Sequence, residues 1–147
     1  MTVDIINLKS KITLVTGATH GIGMAIARGL HSAGATLVIN DIDAIKLKEA
    51  IQKYEEQRIY VHGYLCDVTN ENQVVEMLDQ IEKEVGYIDI LVNNAGVIKR
   101  IPAIDMDIRD WQQVLNVDLN GPFIMSKHIA KRMIERGSGG KIITCVR

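Results

Sequence analysis

The sequence predicts a doubly wound α/β fold, one parallel sheet with helices on both faces. Three observations lead there. Short apolar runs alternate with segments of helical period along nearly the whole chain, and unbroken apolar strands belong to sheets covered on both sides. A glycine-rich turn joins the first such run to the first helical segment. With 147 residues, 47% apolar and 24% charged, the chain has the length and composition of one globular domain.

Residues 11–16 (KITLVT) read as the first strand and 22–33 as the first helix, closed by Gly34. ATLVI (35–39) is the second apolar run. From Asp43 to Gln57, Ile45, Leu47, Ala50, Ile51 and Tyr54 recur at the spacing of an amphipathic helix. Residues 59–65 are the third strand. Asn70 then stands as N-cap to a helix whose apolar stripe is Val74, Leu78, Ile81 and Val85. Ile88 to Val92 is the fourth strand. A long helical stretch follows from about Asp110 to Glu135, with an interruption expected near Gly121-Pro122. The loop Gly137-Ser138-Gly139-Gly140 leads to KIITCV (141–146), the fifth strand. An uncovered apolar strand edge invites association, so a fifth strand ending one residue before the last predicts that more chain follows.

Charge narrows the function classes. Seventeen Lys and Arg stand against 18 Asp and Glu, a net of −1, without the basic stripe that nucleic acid or an anionic membrane needs. The longest stretch without a charge, Ile12 to Ala27, is too short and too glycine-rich to span a bilayer. Asp4 sits where a signal peptide avoids an acid, which makes the cytoplasm the expected location. Cys66 and Cys145 each lie in an apolar run and are expected to be two buried thiols of a reducing compartment. No Cys/His cluster suggests a metal; His31, His62 and His128 are isolated.

The chemistry concentrates at strand ends. Thr16-Gly17-Ala18-Thr19-His20-Gly21-Ile22-Gly23 joins the first strand to the first helix with spacing G-x-x-x-G-x-G. Absent side chains let backbone approach a pyrophosphate, and the helix start offers free N–H groups. No Lys-Ser/Thr ending follows, which disfavours a triphosphate loop; a plain strand–helix turn is the competing reading. Asp41, 18 positions after Gly23, can accept both ribose hydroxyls of an adenosine and would repel a 2′-phosphate; the alternative is a helix-start acid beside Asp43. Asp67 and Val68 end the third strand, where an N-cap acid would read the same. Asn93-Asn94-Ala95-Gly96 follows the fourth strand, with amides able to tie loops together and small residues leaving room for a flat ring. Lys99 and Arg100 form a cationic pair suited to a carboxylate, or simply a solvated loop.

The ordered set TGxxxGIG (16–23), Asp41, Asp67-Val68, NNAG (93–96) and the Trp111-to-Phe123 helix resembles the classical short-chain dehydrogenase/reductases, from about Leu8 onward. Within that family, HGYLCDVT (62–69), IDILVNNAGVIKRIP (88–102) and VDLNGPFIMSK (117–127) are most similar to gluconate 5-dehydrogenases, which interconvert gluconate and 5-ketogluconate with a nicotinamide cofactor. The resemblance implies a Rossmann-type dinucleotide-binding domain over residues 1–147. It implies that Gly17, His20, Gly21, Ile22 and Gly23 wrap the pyrophosphate. Asp41 would hold the adenosine ribose, Asp67 the adenine amino group with Val68 beside it, and Asn94, Ala95 and Gly96 the nicotinamide ribose side. NAD is the cofactor implied by Asp41, and a protonated His20 near a 2′-phosphate would admit NADP. Lys99 and Arg100 would face a sugar-acid substrate. Family members are commonly dimers or tetramers, with the helix at 110–135 in the interface.

Two departures stand out. The family catalyses hydride transfer with a Ser, a Tyr and a Lys four residues after the Tyr, which lowers the phenol pKa. The tyrosines at 54, 60, 64 and 87 have no Lys four places on, and Arg147 falls at or beside the expected Ser. This predicts a dinucleotide-binding chain that does not turn over by itself. The second departure is Asp118, in the run Val117-Asp118-Leu119 where the family has Asn supporting a proton-relay water. Its carboxylate can still bind that water, or it is a helix acid facing solvent.

Overall fold

The computed structural model describes residues 6–145. Five strands form one sheet in the order β3-β2-β1-β4-β5: β1 (Ile12–Thr16), β2 (Thr36–Asp41), β3 (Val61–Leu65), β4 (Ile90–Asn93) and β5 (Lys141–Thr144). Every pairing is parallel, with Thr16 opposite Asn40 and Asn40 opposite Tyr64. Helices α1 (Gly21–Ser32), α2 (Ala44–Glu56), α3 (Glu71–Glu84), α4 (Ile108–Leu115) and α5 (Gly121–Arg136) make the crossovers.

Strand alternation separates the interior into two cores. Leu14, Val38, Tyr64 and Leu91 pack against Val74, Leu78 and Ile81 of α3 and Met125, Ile129 and Met133 of α5. Val15, Leu37, Ile39 and Val92 point the other way, onto Met24 and Ala27 of α1 and Leu47, Ala50 and Tyr54 of α2. This two-sided burial is why the strands read as continuous apolar runs rather than alternating ones. The Tyr54 hydroxyl donates to the Ala18 carbonyl at 2.8 Å, so α2 also braces the turn after β1.

The helix starts follow the expected chemistry. Asp43 caps α2 by accepting from the backbone N–H of Ile45 and Lys46, and Asn70 caps α3 by accepting from that of Gln73. The expected interruption near Gly121-Pro122 is instead a wide π-helical turn, Asn116–Asn120, through which α4 continues into α5. Pro122 lacks the N–H that an α-helix would aim at the Asp118 carbonyl, and a wider turn accommodates the loss. The third strand is also shorter than expected, because Arg58 adopts φ 58° and the Ile59 N–H bonds back to the Tyr54 carbonyl.

At the sheet edge, β5 leaves Ile142 and Ile143 partly exposed. Asn93 Nδ2 donates to Thr144 Oγ1 at 3.3 Å and to Ser126 Oγ at 3.1 Å, tying β5 to α5. Cys66 is buried as expected, whereas Cys145 is only half-buried because it follows this edge strand; both are free thiols. Val146, the last residue of the expected strand, lies outside the described residues. Among the described residues no helix is long and apolar enough to cross a membrane, and no three metal-ligating side chains cluster.

Candidate dinucleotide site

After β1 the chain winds to β2 and β3 on one side, then crosses to β4 and β5 on the other. The loops after β1 and β4 therefore diverge and leave a crevice at the carboxyl edge of the sheet, where ligands of such sheets gather. Thr16 and Asn94 hold its two lips. Thr16 Oγ1 accepts from the N–H of Asn94 at 3.0 Å and of Ala95 at 2.9 Å. In return Asn94 Nδ2 donates to the carbonyls of Thr16 at 3.0 Å and Gly17 at 3.1 Å.

Two glycines make this approach possible. Gly17 has φ +62°, and a Cβ there would lie 2.9 Å from Ala95 Cα. A Cβ on Gly23 would collide with Asn94 Nδ2 and lie 2.6 Å from the Gly17 carbonyl oxygen. Gly21 has open space around it, and Ile22 is exposed at the start of α1.

At the other end of the crevice, Asp41 closes β2. Its Oδ2 accepts from Thr19 Oγ1 at 2.6 Å and its Oδ1 from the Asp43 N–H at 3.0 Å. It is thus not the helix cap, a role that Asp43 fills. The same Thr19 hydroxyl lies 3.1 Å from His20 Nδ1, which brings His20 to the crevice wall. Asp67 Oδ1 accepts from both the N–H and the hydroxyl of Thr69, so it shapes the turn before α3 while Asn70 caps that helix.

Between these loops lies a cleft of about 310 Å³, whose wall does not include Gly21, Ile22, Gly23 or Asn94. Gly17, His20, Asp41, Asp67, Val68, Ala95 and Gly96, all singled out from the sequence, share its wall. Sequence reading missed Asn40, Ile42, Lys46, Cys66, Val97, Gln113 and Val117. Asn40 had a signal: an amide at the end of a fully apolar run. Its Nδ2 donates to the Cys66 carbonyl at 2.9 Å, which orients the amide, and its buried Oδ1 has no partner. Burial pushes the Cys66 thiol up to about 11, with the Asp67 charge adding to the effect, so the thiol is protonated and inert at neutral pH.

The cleft has the chemistry of a dinucleotide site. It offers a close-approach glycine before a helix start, a carboxylate at the end of β2 and an apolar Val68 flank. Asp118 lies beside it on the π turn. Half-buried, it does not simply face solvent, because its Oδ1 accepts from the Val97 N–H at 2.8 Å and so steadies the loop after Gly96. Lys99 is paired with Asp110 at 3.1 Å and Arg100 is exposed, and neither lines the cleft. Arg147 lies outside the described residues.

Comparison with known proteins agrees with this geometry. Residues 11–146 match the family model for short chain dehydrogenases. The chain is 49% identical over 146 residues to a 2-dehydro-3-deoxy-D-gluconate 5-dehydrogenase of Formosa agariphila, covering 99% of this chain and 55% of that one. It superposes with TM-score 0.85 on the crystal structure of a 2-keto-3-deoxy-D-gluconate dehydrogenase from Streptococcus agalactiae, at 49% identity over 97% of this chain and 54% of that one. A gluconate 5-dehydrogenase from Burkholderia cenocepacia, crystallised with NADP and tartrate, gives TM-score 0.85 and 38% identity over 94% of this chain and 54% of that one. The chain thus spans about half the length of the relatives it matches. Its strand order, its glycine turn locked to an Asn-Ala-Gly loop, and the family match over residues 11–146 together establish that the chain belongs to the short chain dehydrogenase family.

Proposed function

We propose that this chain forms the dinucleotide-binding part of an NAD(P)-dependent oxidoreductase that interconverts a hydroxyl and a keto group on a sugar acid of the gluconate type. The observation that carries the reading is the Thr16–Asn94 lock, which sets Gly17 against Ala95 and opens the crevice beside Asp41 and Asp67. The sugar-acid class is supported by the names of the relatives, which act on 2-dehydro-3-deoxy-D-gluconate or gluconate.

In this reading the backbone at Gly17, His20, Gly21, Ile22 and Gly23 meets the pyrophosphate, and α1 presents its N-terminal N–H groups there. Asp41 accepts the adenosine ribose hydroxyls, Asp67 the adenine amine, and Val68 packs on the ring. Asn94, Ala95 and Gly96 border the nicotinamide side, with Asp118 holding that loop through Val97. Bound nicotinamide supplies the hydride acceptor or donor. Arg100, free of the ion pair that engages Lys99, is the more available of the two loop cations for a substrate carboxylate, although neither lines the cleft. In the 147-residue sequence no Tyr has Lys four places on, which supports binding without turnover by this chain alone.

Calorimetric titration with NAD and NADP tests the reading. Saturable binding of at least one is expected, and Asp41→Ala should weaken NAD more than NADP. A folded chain that binds neither at millimolar dinucleotide would overturn it. Rapid reduction of 5-ketogluconate by a mass-verified 147-residue chain would instead refute binding without turnover.

A further inference from the structure

Asp67 and Val68, on the wall of the cleft, belong to the short turn between β3 and α3, and α5 holds that turn from outside. Gly121, the first residue of α5, lets Val68 come so near that a Cβ there would lie 2.9 Å from Val68 Cγ2. Glu71 follows the Asn70 cap and reaches across to the same helix. One oxygen, Oε1, accepts from Lys127 Nζ at 2.9 Å and meets His128 Nε2 at 2.6 Å. The turn is thus held to α5 twice, by packing at Val68 and by charge at Glu71.

The two cationic partners are not equivalent. The Lys127 side chain is half-exposed and always charged, whereas that of His128 is only 16% exposed. An ionised carboxylate only accepts, so Nε2 keeps its proton and Nδ1 is the position that gains or loses one. The contact therefore persists while its charge changes, and imidazoles change charge between about pH 5 and 8. Lys127 foremost, and then His128, hold the Glu71 carboxyl below its ordinary range, so the acceptor stays ionised throughout. Among the described residues the other nearby charges are engaged elsewhere. Asp67 Oδ1 is taken by Thr69, Asp79 and Glu82 by Arg132, Asp89 by Arg136, and Lys131 pairs with Glu135. Lys127 opposes a charged ring, but its ammonium stands half in water, whereas the Glu71 oxygen touches the ring directly.

We infer that His128 makes dinucleotide binding pH-dependent: its charged ring tightens the clasp on Glu71, which holds the Asp67–Val68 wall where it receives the adenosine end. The inference rests on the dinucleotide reading of the cleft and adds a regulatory device outside it. Affinity falls as the ring loses its charge.

The test is calorimetric titration with NAD and NADP at about pH 6 and pH 8, on the wild-type protein, His128→Gln, His128→Arg and Glu71→Gln. His20 stands on the cleft wall in every variant, so its contribution cancels and the readout is the difference from wild type. Wild type should lose about threefold more affinity between the two pH values than His128→Gln or Glu71→Gln does. His128→Arg, charged at both, should lose no more than the Gln variants. Binding near pH 7 should also take up a fraction of a proton, read in two buffers of different ionisation enthalpy, and His128→Gln should lack it. A ring that served only the packing of α3 on α5 would change the melting temperature and not this uptake. The same pH dependence and proton uptake in wild type, His128→Gln and Glu71→Gln overturn the inference and leave the dinucleotide reading standing. A folded chain that binds neither dinucleotide at either pH removes both.

Discussion

Replacing Thr16 with Val keeps the shape of a 1%-exposed side chain and deletes one oxygen. That oxygen accepts two backbone N–H groups, from Asn94 at 3.0 Å and Ala95 at 2.9 Å. Neither can readily turn elsewhere, because Gly17 and Gly23 pack the β1 turn directly against this loop. A buried donor left unpaired costs about 1–3 kcal/mol, and the Ala95 N–H is less buried than that of Asn94. The expected destabilisation is therefore about 2–4 kcal/mol, or roughly 6–12 °C in Tm for a domain of this size. Thr13→Val is the matched control: Thr13 is equally buried, but its hydroxyl makes one bond, to the Thr36 carbonyl at 3.3 Å. It should cost no more than about 1 kcal/mol. Thr16→Ser keeps the acceptor and should recover most of the loss. Urea unfolding of the three variants, with dinucleotide titration of each, measures this. A Thr16→Val protein within about 0.5 kcal/mol of wild type would refute the claim that this hydroxyl locks the two lips of the crevice.

Other outcomes follow from the same geometry. Gly23→Ala should lower stability by about 1–3 kcal/mol and abolish measurable dinucleotide binding, because its methyl displaces Asn94; thermal melting and calorimetry would show it, and unaltered binding would count against the packing argument. Asp118→Asn retains an acceptor for the Val97 N–H and should bind dinucleotide within about twofold of wild type, whereas Asp118→Leu should lose about tenfold. Alkaline pH should destabilise the protein. Burial raises the folded pKa of Cys66 from 9.0 to about 11 and of Tyr54 from 10.0 to about 12, so their contribution is complete below about pH 9 and is lost as pH rises through those folded values. Urea midpoints should be flat from neutral pH to about 8.5 and then fall, and Cys66→Ala should soften the first part of the fall. In thiol titration at pH 8, only about one Cys66 in a thousand is thiolate, so Cys145 should react first.

The fold was legible because burial on both faces makes the central strands largely apolar, and KITLVT, ATLVI and the run at 88–92 carry that mark in one dimension, whereas the edge strands β3 and β5 are less buried. Helix starts were legible where a single side chain does the capping, as Asn70 does. In the Asp110–Glu135 stretch Gly-Pro predicts a break, whereas packing lets the helix widen into a π turn and continue. Among site residues, the glycine turn, Asp41, Asp67 and Asn94-Ala95-Gly96 announced themselves by residue type at strand ends. Lys46 and Gln113 did not, since on their helices they look like any solvated polar residue.

From the sequence alone came the class of sheet, the loops that carry the chemistry and the family they resemble, since each depends on local composition and spacing. Only the tertiary structure decided which groups answer one another. Thr19 engages Asp41 across 22 positions, Asp118 engages Val97 across 21, and Asp110 draws off Lys99. A hydrogen bond requires partners within about 3 Å, and for residues so far apart in the chain that distance is set by how strands and helices pack.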